Sequence, residues 1–246
     1  MSQIFSLGLR DKDRVAGSLG GGFPKGSIVF IEGPDGAGKS VLSQRFVSGF
    51  CDAGYYTTYI TPELTGHKLF DQMASLSYPV EDEILHQQLL FLHADVDTFD
   101  AMTGQGADDR ELLTQLVDAE TLWGADIILI DGLDALLTND PALRDKLEER
   151  GSSVIENFLT HLEEYTRQGK TIILTANQEA LDNSTLRPLR NRADVYFTLE
   201  TDKIGSEITR NIRVNRYSEM QSQVDDNVGF SVQTGIGIII ETRTVT

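Results

Sequence analysis

Residues 33–40 read GPDGAGKS and fit the pattern G-x-x-x-x-G-K-[ST] without a gap. The stretch directly follows an apolar run, residues 27–32, and precedes residues 38–52, whose spacing of apolar side chains predicts a helix. In that context the glycines let backbone N–H groups converge on phosphate oxygens, and the helix directs its positive end at the same place. The sequence therefore predicts a phosphate-binding loop between the first central strand and a helix.

The residues of this loop form the main part of the predicted ATP-binding site. The Lys39 ammonium is expected to reach the β- and γ-phosphates, and the Ser40 hydroxyl is expected to bind Mg²⁺. The predicted nucleotide-binding set from this part of the chain is Gly33, Pro34, Asp35, Gly36, Ala37, Gly38, Lys39, Ser40 and Val41.

Two acidic residues follow other apolar runs. Asp131 ends the run 126–131, and beside the loop it is expected to hold the hydration shell of the Mg²⁺ ion. The residue after it is Gly132, so a catalytic acid must come from elsewhere. Glu63 follows the run 56–61, and its carboxylate is predicted to orient a water for attack; an exposed loop acid is the alternative.

Asn177 and three arginines complete the candidate site. Asn177 follows the run 171–176, where its amide either senses the γ-phosphate or caps the next turn. Arg210, Arg213 and Arg216 recur at strand spacing, which predicts Arg210 and Arg216 on one face and Arg213 on the other. Arg216 is the predicted contact to a nucleotide across a subunit boundary, and solvent-facing strand charges are the alternative.

Apolar runs alternate with helical periods along most of the chain. This alternation predicts an α/β fold with a mostly parallel central sheet flanked by helices, in one domain spanning residues 1–246. The later strands are expected to extend the sheet in antiparallel fashion. The predicted strands are 27–32, 56–61, 88–93, 126–131, 171–176, two joined near Gly205, 228–233 and 237–242. The predicted helices are 38–52, 109–123 and 153–168, and the last of these starts at a Ser153–Glu156 capping box. The loops at 98–108 and 138–152 are predicted to be mobile.

Composition limits the classes of partner. The net charge is −17, with 38 acidic and 21 basic residues, which argues against nonspecific binding of nucleic acid. The 22 Asp against 16 Glu and the 14 Arg against 7 Lys are typical of a salt-rich cytoplasm, although a simple solvated surface is an alternative. The single cysteine, Cys51, permits no internal disulfide, and no apolar run approaches a membrane span of about 18 residues. Any membrane association is therefore expected to pass through a partner.

Taken together, these residues resemble the RecA-like ATPases and, more closely, their KaiC branch. The resemblance rests on the glycine-rich lead at residues 17–26, the loop, Glu63, Asp131 and the closing Gly235-Ile-Gly-Ile-Ile. Within that branch the chain is similar to the accessory ATP-binding proteins of the archaellum, the rotating archaeal flagellum. That likeness rests on the single-domain length, on Glu32 before the loop and on the tail from residue 210 to 216, and it covers roughly residues 15–242.

The resemblance implies a RecA-like fold and a cytoplasmic protein that binds ATP and Mg²⁺. It also implies a homo-oligomeric, hexameric ring that docks on the archaellum's secretion and motor ATPase, beneath a polytopic membrane platform protein. Many KaiC relatives carry two adjacent glutamates where this chain has Glu63-Leu64, so weak hydrolysis and a regulatory role are expected. The alternatives are a RecA/RadB-type recombination ATPase that binds DNA, and a KaiC-like autokinase that phosphorylates Thr57, Thr58 or Thr61.

Overall fold

The protein, seen here in a computed structural model, is described over residues 3–94, 112–204, 207–219 and 223–241. Strands and helices alternate through most of these ranges. The strands are β1 (Ile4–Ser6), β2 (Gly22–Pro24), β3 (Ile28–Gly33), β4 (Thr57–Thr61), β5 (Leu89–His93), β6 (Ile127–Ile130), β7 (Thr171–Asn177), β8 (Val195–Ile204), β9 (Glu207–Tyr217), β10 (Asn227–Gln233) and β11 (Gly237–Glu241).

Helices cover both faces of the sheet. They are α1 (Val15–Ser18), α2 (Lys39–Asp52), α3 (Gly66–Ser75), α4 (Glu81–Leu85), α5 (Leu112–Asp118), α6 (Leu133–Asn139), α7 (Pro141–Thr166) and α8 (Asn183–Arg192), with a 3₁₀ turn at Glu120–Trp123. Across the described ranges, none of these helices combines the length and the apolar character needed to cross a membrane.

Nine of the described strands form one sheet in the order β11-β10-β9-β8-β3-β7-β6-β4-β5. Strands β8, β3, β7, β6, β4 and β5 pair in parallel, and β8 to β11 pair with one another in antiparallel fashion. The predicted α/β class, the parallel centre and the antiparallel C-terminal strands are therefore confirmed. At most strand ends in the parallel part of the sheet, the predicted bound differs from the observed bound by one residue.

The central strands β3, β6 and β7 are mostly apolar because both of their faces are buried. On β3, Val29 and Ile31 face a core that includes Phe46 of α2, whereas Ile28 and Phe30 face a second core on the opposite side of the sheet. Alternate side chains of a strand point to opposite faces, so a strand covered by helices on both sides reads as a continuous apolar run.

The prediction of a mobile loop at residues 138–152 is wrong, because most of these residues are helical. Helix α7 begins at Pro141, and the Asp140 carboxylate accepts a hydrogen bond from the Leu143 backbone N–H at 3.3 Å, as an N-cap residue does. Leu143 and Leu147 are buried one turn apart beneath the charged surface. Arg150 has non-helical backbone angles (φ −147°, ψ 32°), so α7 is two helices that meet at a kink. The predicted start at Ser153 lies three residues after this kink and agrees with the start of the second helix.

The predicted helix 109–123 is divided in the structure. Helix α5 covers residues 112–118, and a 3₁₀ turn follows at residues 120–123. The predicted mobile loop 98–108 lies outside the described residues.

The N-terminal segment packs on helix α2 through a buried ion pair that the sequence did not suggest. The Arg45 guanidinium donates hydrogen bonds to both carboxylate oxygens of Asp13, at 2.6 and 2.8 Å, and to the Leu7 carbonyl at 2.6 Å. The side chains of Arg45 and Asp13 are 0% and 4% exposed. The charged pair therefore fixes the course of the chain that leads into β2 and β3.

A β-bulge in β9 overturns the predicted arrangement of its arginines. Tyr196 pairs with Arg216, but the next residue of β8, Phe197, pairs with Val214, so one residue of β9 is left unpaired. An extra residue reverses the alternation of faces beyond it. Arg216 therefore lies on the same face of the sheet as Arg213, and Arg210 lies on the opposite face, toward α2.

We expect Asp13→Ala to lower the free energy of unfolding by about 3–5 kcal/mol, because it leaves the buried Arg45 guanidinium without a counter-charge. Chemical denaturation followed by circular dichroism measures the change. The matched control is Asp11→Ala, which removes an exposed carboxylate from the same segment and should change stability little. Equal stability of the two variants would show that the ion pair does not anchor this segment.

Candidate functional site

The parallel strands bring the separate site segments to one edge of the sheet. Gly33 at the end of β3 lies opposite Asn177 at the end of β7, and Ile130 of β6 pairs with Ile60 of β4. A pocket of about 280 Å³ opens at this edge. Its lining includes most of the predicted site residues, namely Asp35, Gly36, Gly38, Lys39, Ser40, Val41, Glu63, Asp131 and Asn177.

The loop at residues 33–40 exposes its main chain toward the pocket. Gly38 precedes α2 with a left-handed φ of 96°, and no side chain among the described residues caps the helix start. The first N–H groups of the helix are therefore available to an anion. At Gly33 an added Cβ would lie 2.6 Å from the Leu199 carbonyl oxygen, so the close packing of β3 on β8 requires glycine there.

Lys39 is held across the loop by the loop's own carbonyls. Its ammonium donates hydrogen bonds to the Gly33 oxygen at 2.9 Å and to the Pro34 oxygen at 3.0 Å. Gly33 and Pro34 thus belong to the predicted set by supporting Lys39, and Ala37 is fully buried beneath the loop. A lysine ammonium has three protons, so one remains for a phosphate oxygen.

The Asp131 carboxylate is 1% exposed and accepts hydrogen bonds from three hydroxyl groups. Tyr59 donates to Oδ2 at 2.8 Å, Thr175 donates to Oδ1 at 2.7 Å, and Ser43 approaches Oδ1 at 3.4 Å. The Thr175 hydroxyl also accepts the Gly132 backbone N–H at 2.9 Å. The carboxylate is therefore fixed in orientation where it borders the pocket.

Two further carboxyl groups lie close to Asp131, and each has a raised pKa. Partial burial, followed by the negative charges of Asp131 and Asp134, raises the pKa of Glu63. Burial raises the pKa of Asp134, although the Asn177 backbone N–H, which donates to it at 2.8 Å, partly opposes this effect. Both groups therefore hold a proton more tightly than exposed carboxyls do.

Asn177 caps the next turn, which is one of its two predicted roles, and its amide also contacts the phosphate-binding loop. Its side-chain oxygen accepts the Glu179 backbone N–H at 2.9 Å and so caps the next turn. Its NH₂ group donates to the Asp35 carboxylate at 2.9 Å, which links the end of β7 to the phosphate-binding loop. The amide therefore stands beside the loop in a place where it can respond to what the loop binds.

The bulge in β9 separates the arginines of that strand. Arg210 lines the pocket and donates from Nε to the Gly36 carbonyl at 3.2 Å. Arg216 lies outside the pocket lining, and its guanidinium donates to the carbonyls of Arg190, Asn191 and Ala193 at the end of α8. Contact of Arg216 with a neighbour's nucleotide therefore stays a prediction, and it would require these hydrogen bonds to break.

Sequence reasoning missed several residues that line the pocket or support its carboxylates. Tyr59 and Thr175 lie inside apolar strands, where they read as ordinary strand residues. Asp134 stands one helical turn after Asp131, at a spacing that could have indicated it. The Arg210 contact depends on how β9 pairs with its neighbours, for which the sequence gives no direct signal.

The charge of the pocket fits a magnesium–nucleotide complex. Among the described residues, four carboxyl groups and two cations line it: Asp35, Glu63, Asp131 and Asp134 against Lys39 and Arg210. An unaccompanied triphosphate would face this excess of negative charge, whereas a divalent cation would offset it. No group of three or more described His, Cys, Asp or Glu side chains could hold a metal. Mg²⁺ usually keeps several waters and binds one or two protein ligands plus phosphate oxygens, and Ser40 and Asp131 can provide such ligands.

Comparison with known proteins places the chain among ATPases. The model of the KaiC ATPase family matches residues 13–244. The archaeal flagellar ATP-binding protein FlaH of Methanocaldococcus jannaschii is 27% identical over 95% of this chain and 94% of its own length. The FlaH protein of Methanococcus voltae is 26% identical over 96% of both chains.

Solved structures agree with the sequence comparisons. The crystal structure of the flagellar accessory protein FlaH from Methanocaldococcus jannaschii superposes with a TM-score of 0.83 and covers 98% of this chain and 100% of its own. A KaiC-like protein from Pyrococcus horikoshii, 19% identical, shares the fold with a TM-score of 0.71 over 98% of this chain and 99% of its own. The expected RecA-like fold, the KaiC branch and the likeness to the archaellum accessory proteins are therefore confirmed.

We expect Glu63→Gln to stabilise the nucleotide-free protein at pH 7–8. The folded protein holds the Glu63 proton more tightly than the unfolded chain, so the ionised carboxylate reduces stability at neutral pH. This penalty disappears as the pH falls below the ordinary glutamate pKa of about 4.3. Thermal denaturation across this pH range tests the effect, with the exposed Glu164→Gln as the control; a gain that is independent of pH would contradict it.

Proposed function

The chain belongs to the KaiC family of ATPases, and from that premise we propose that it is an archaellum-associated protein that binds Mg·ATP and regulates the flagellar motor. The observation that carries this proposal is the pocket at the strand ends, where the phosphate-binding loop, Ser40, Asp131 and Glu63 come together. The likeness to FlaH, which extends over nearly the whole of both chains, supports the archaellum as the setting.

The geometry of the pocket supports the proposed roles. The main chain of residues 33–40 and the Lys39 ammonium would bind the phosphates, and the Ser40 hydroxyl and the Asp131 carboxylate would serve the Mg²⁺ ion and its waters. Bound Mg·ATP would supply the phosphoanhydride bond between its β- and γ-phosphates. Glu63 orients a water toward the pocket, and Asn177 reports the state of the loop through its contact with Asp35.

Binding is proposed to matter more than turnover. Fast hydrolysis needs a positioned water, a metal and an arginine that stabilises the transition state, and the arginine alone contributes roughly 10³–10⁵ in rate. In this chain Glu63 is the proposed water-orienting group, and Leu64 occupies the next position. Arg210 is bonded to Gly36, and Arg216 is bonded to the end of α8. We therefore propose slow hydrolysis and a conformation that bound ATP maintains.

The proposed assembly is a homo-oligomeric, hexameric ring in the cytoplasm. It acts on the archaellum's secretion and motor ATPase and lies beside the polytopic membrane platform protein, which it reaches only through its partners. The single domain of residues 1–246, the ring and both partners follow from the family likeness. The acid excess of the chain argues against DNA as a partner.

The buried positions of the candidate acceptors do not favour the autokinase alternative. Thr57, Thr58 and Thr61 are 1%, 1% and 0% exposed, and all three belong to β4, which pairs with β5 on one side and with β6 on the other. Phosphorylation of a hydroxyl there would require the strand to leave the sheet. A binding and regulatory role needs no such opening.

We expect Lys39→Ala to weaken ATP binding about 10-fold to 100-fold, because the phosphates lose a charge-assisted hydrogen bond. Isothermal titration calorimetry with Mg·ATP measures the affinity. Lys68→Ala is the matched control, because it removes an exposed lysine on α3 that does not line the pocket. Equal affinities of the Lys39→Ala and Lys68→Ala proteins would overturn the assignment of the ATP site.

A comparison of two variants in cells separates a regulator from a motor. Lys39→Ala should abolish swimming and binding to the partner ATPase, because both are proposed to depend on bound nucleotide. Glu63→Gln should preserve ATP binding and much of the partner binding, because it removes the carboxylate but leaves the loop. Swimming assays and co-purification measure the outcomes. Turnover of tens per second, together with equal loss of swimming in both variants, would identify the chain as a motor.

A further inference from the structure

Asp131 has an unusually complete set of donors for a residue that must also serve a metal. The Tyr59 hydroxyl donates to one carboxylate oxygen at 2.8 Å, and the Thr175 hydroxyl donates to the other at 2.7 Å. These donors come from β4 and β7, the two strands that flank β6 in the sheet. The carboxylate that follows β6 is thus held from both sides by hydroxyl groups that sequence reasoning had assigned to no function.

The hydrogen bonds already made to the Asp131 carboxylate limit how many further donors it can accept. An ionised carboxylate offers about four lone-pair positions. Tyr59 occupies one on Oδ2, while Thr175 occupies one on Oδ1 and Ser43 approaches a second there at 3.4 Å. Among the described residues no second side chain donates to Oδ2, and the carboxylate borders the pocket. Asp131 can therefore still accept one further hydrogen bond through Oδ2.

The Tyr59 hydroxyl is held in place by the packing of its ring. The residue is fully buried, and its ring packs edge-on against Phe91 with the centroids 6.0 Å apart. The packed ring therefore fixes the direction from which the hydroxyl donates to Asp131.

We propose that Tyr59 and Thr175 are positioning residues that aim the Asp131 carboxylate at a water of the magnesium ion and so couple nucleotide affinity to Mg²⁺. This inference rests on the proposed function, since it assumes that Asp131 serves the metal. Tyr59 does not line the pocket, whereas Thr175 borders it beside Asp131. Their hydroxyls hold the carboxylate that serves the ion, as outer partners of a metal ligand commonly do.

The test measures the dependence of ATP affinity on Mg²⁺. Tyr59→Phe removes one oxygen and keeps the packed ring. We expect it to raise the Mg²⁺ concentration needed for half-maximal ATP binding by about 10-fold to 100-fold, the usual effect of losing such an outer partner. Affinity for ATP in EDTA should stay within about twofold of wild type, since the loop is untouched. Titration with a fluorescent ATP analogue at fixed Mg²⁺ concentrations provides the readout.

Matched variants separate positioning from a loss of packing. Tyr78→Phe removes the hydroxyl of another fully buried tyrosine, which bonds the Ile238 backbone and not Asp131, and it should leave the Mg²⁺ dependence unchanged. Thr175→Ser should retain wild-type behaviour, whereas Thr175→Val should resemble Tyr59→Phe. Melting temperatures without nucleotide report any general loss of stability. A Tyr59→Phe protein that is less stable but keeps the wild-type Mg²⁺ dependence would overturn the proposal.

Asp131→Asn distinguishes failure of the inference from failure of the proposed function. If Asp131→Asn leaves the Mg²⁺ dependence unchanged, Asp131 does not serve the metal and the assigned site is wrong. If Asp131→Asn shifts it and Tyr59→Phe does not, the site stands and the positioning role is wrong. In the Asp131→Asn background, Tyr59→Phe should add no further shift, because the two changes act through one carboxylate.

Discussion

The site depends on the parallel, in-register pairing of β4, β6, β7 and β3. Parallel strands end at the same edge of a sheet, and in open α/β folds that edge is where ligands bind. Gly33 lies opposite Asn177, and Ile60 lies opposite Ile130, so the segments that follow each strand meet around one pocket. Backbone hydrogen bonding therefore brings together a loop, two acids and an amide that are far apart in the chain. The side-chain contacts between them refine this arrangement but do not create it.

The features that the sequence predicted well are those that local pattern determines. The central strands are covered on both faces, so they read as apolar runs, and the phosphate-binding loop is a continuous motif. The part of α7 before the kink at Arg150 was predicted to be a loop because exposed charges conceal Leu143 and Leu147, which are buried one turn apart. The arginine faces were predicted wrongly because a single unpaired residue near Arg216 reverses the alternation. A bulge is a property of two paired strands, so the sequence of one strand does not reveal it.

Within the site, too, local sequence pattern predicts some residues, whereas long-range strand pairing determines others. A strand-end rule suffices to find Glu63, Asp131 and Asn177, since each follows an apolar run. Tyr59 and Thr175 cannot be found in this way, because their importance comes from which strands flank β6, and strand order is a long-range property. The role of Tyr59 also depends on burial, which turns a common strand residue into a fixed donor to a carboxylate. What the sequence did not reveal is therefore mainly the shell of residues that supports the predicted ones.

The proposed function assigns binding and hydrolysis to different groups. Phosphate binding is proposed to rely on main-chain N–H groups and Lys39, and the tight contact of Gly33 with Leu199 fixes the course of the loop. Water orientation is proposed to rely on one side chain, Glu63, whose pKa is raised by partial burial and by the acids around it. Because four carboxyl groups line the pocket, a nucleotide without Mg²⁺ would meet repulsion there, whereas a divalent cation would offset that charge. Under the proposed function such a pocket would favour the magnesium complex over free nucleotide before any bond is broken. Binding alone would then carry a signal, and slow hydrolysis would set how long that signal persists.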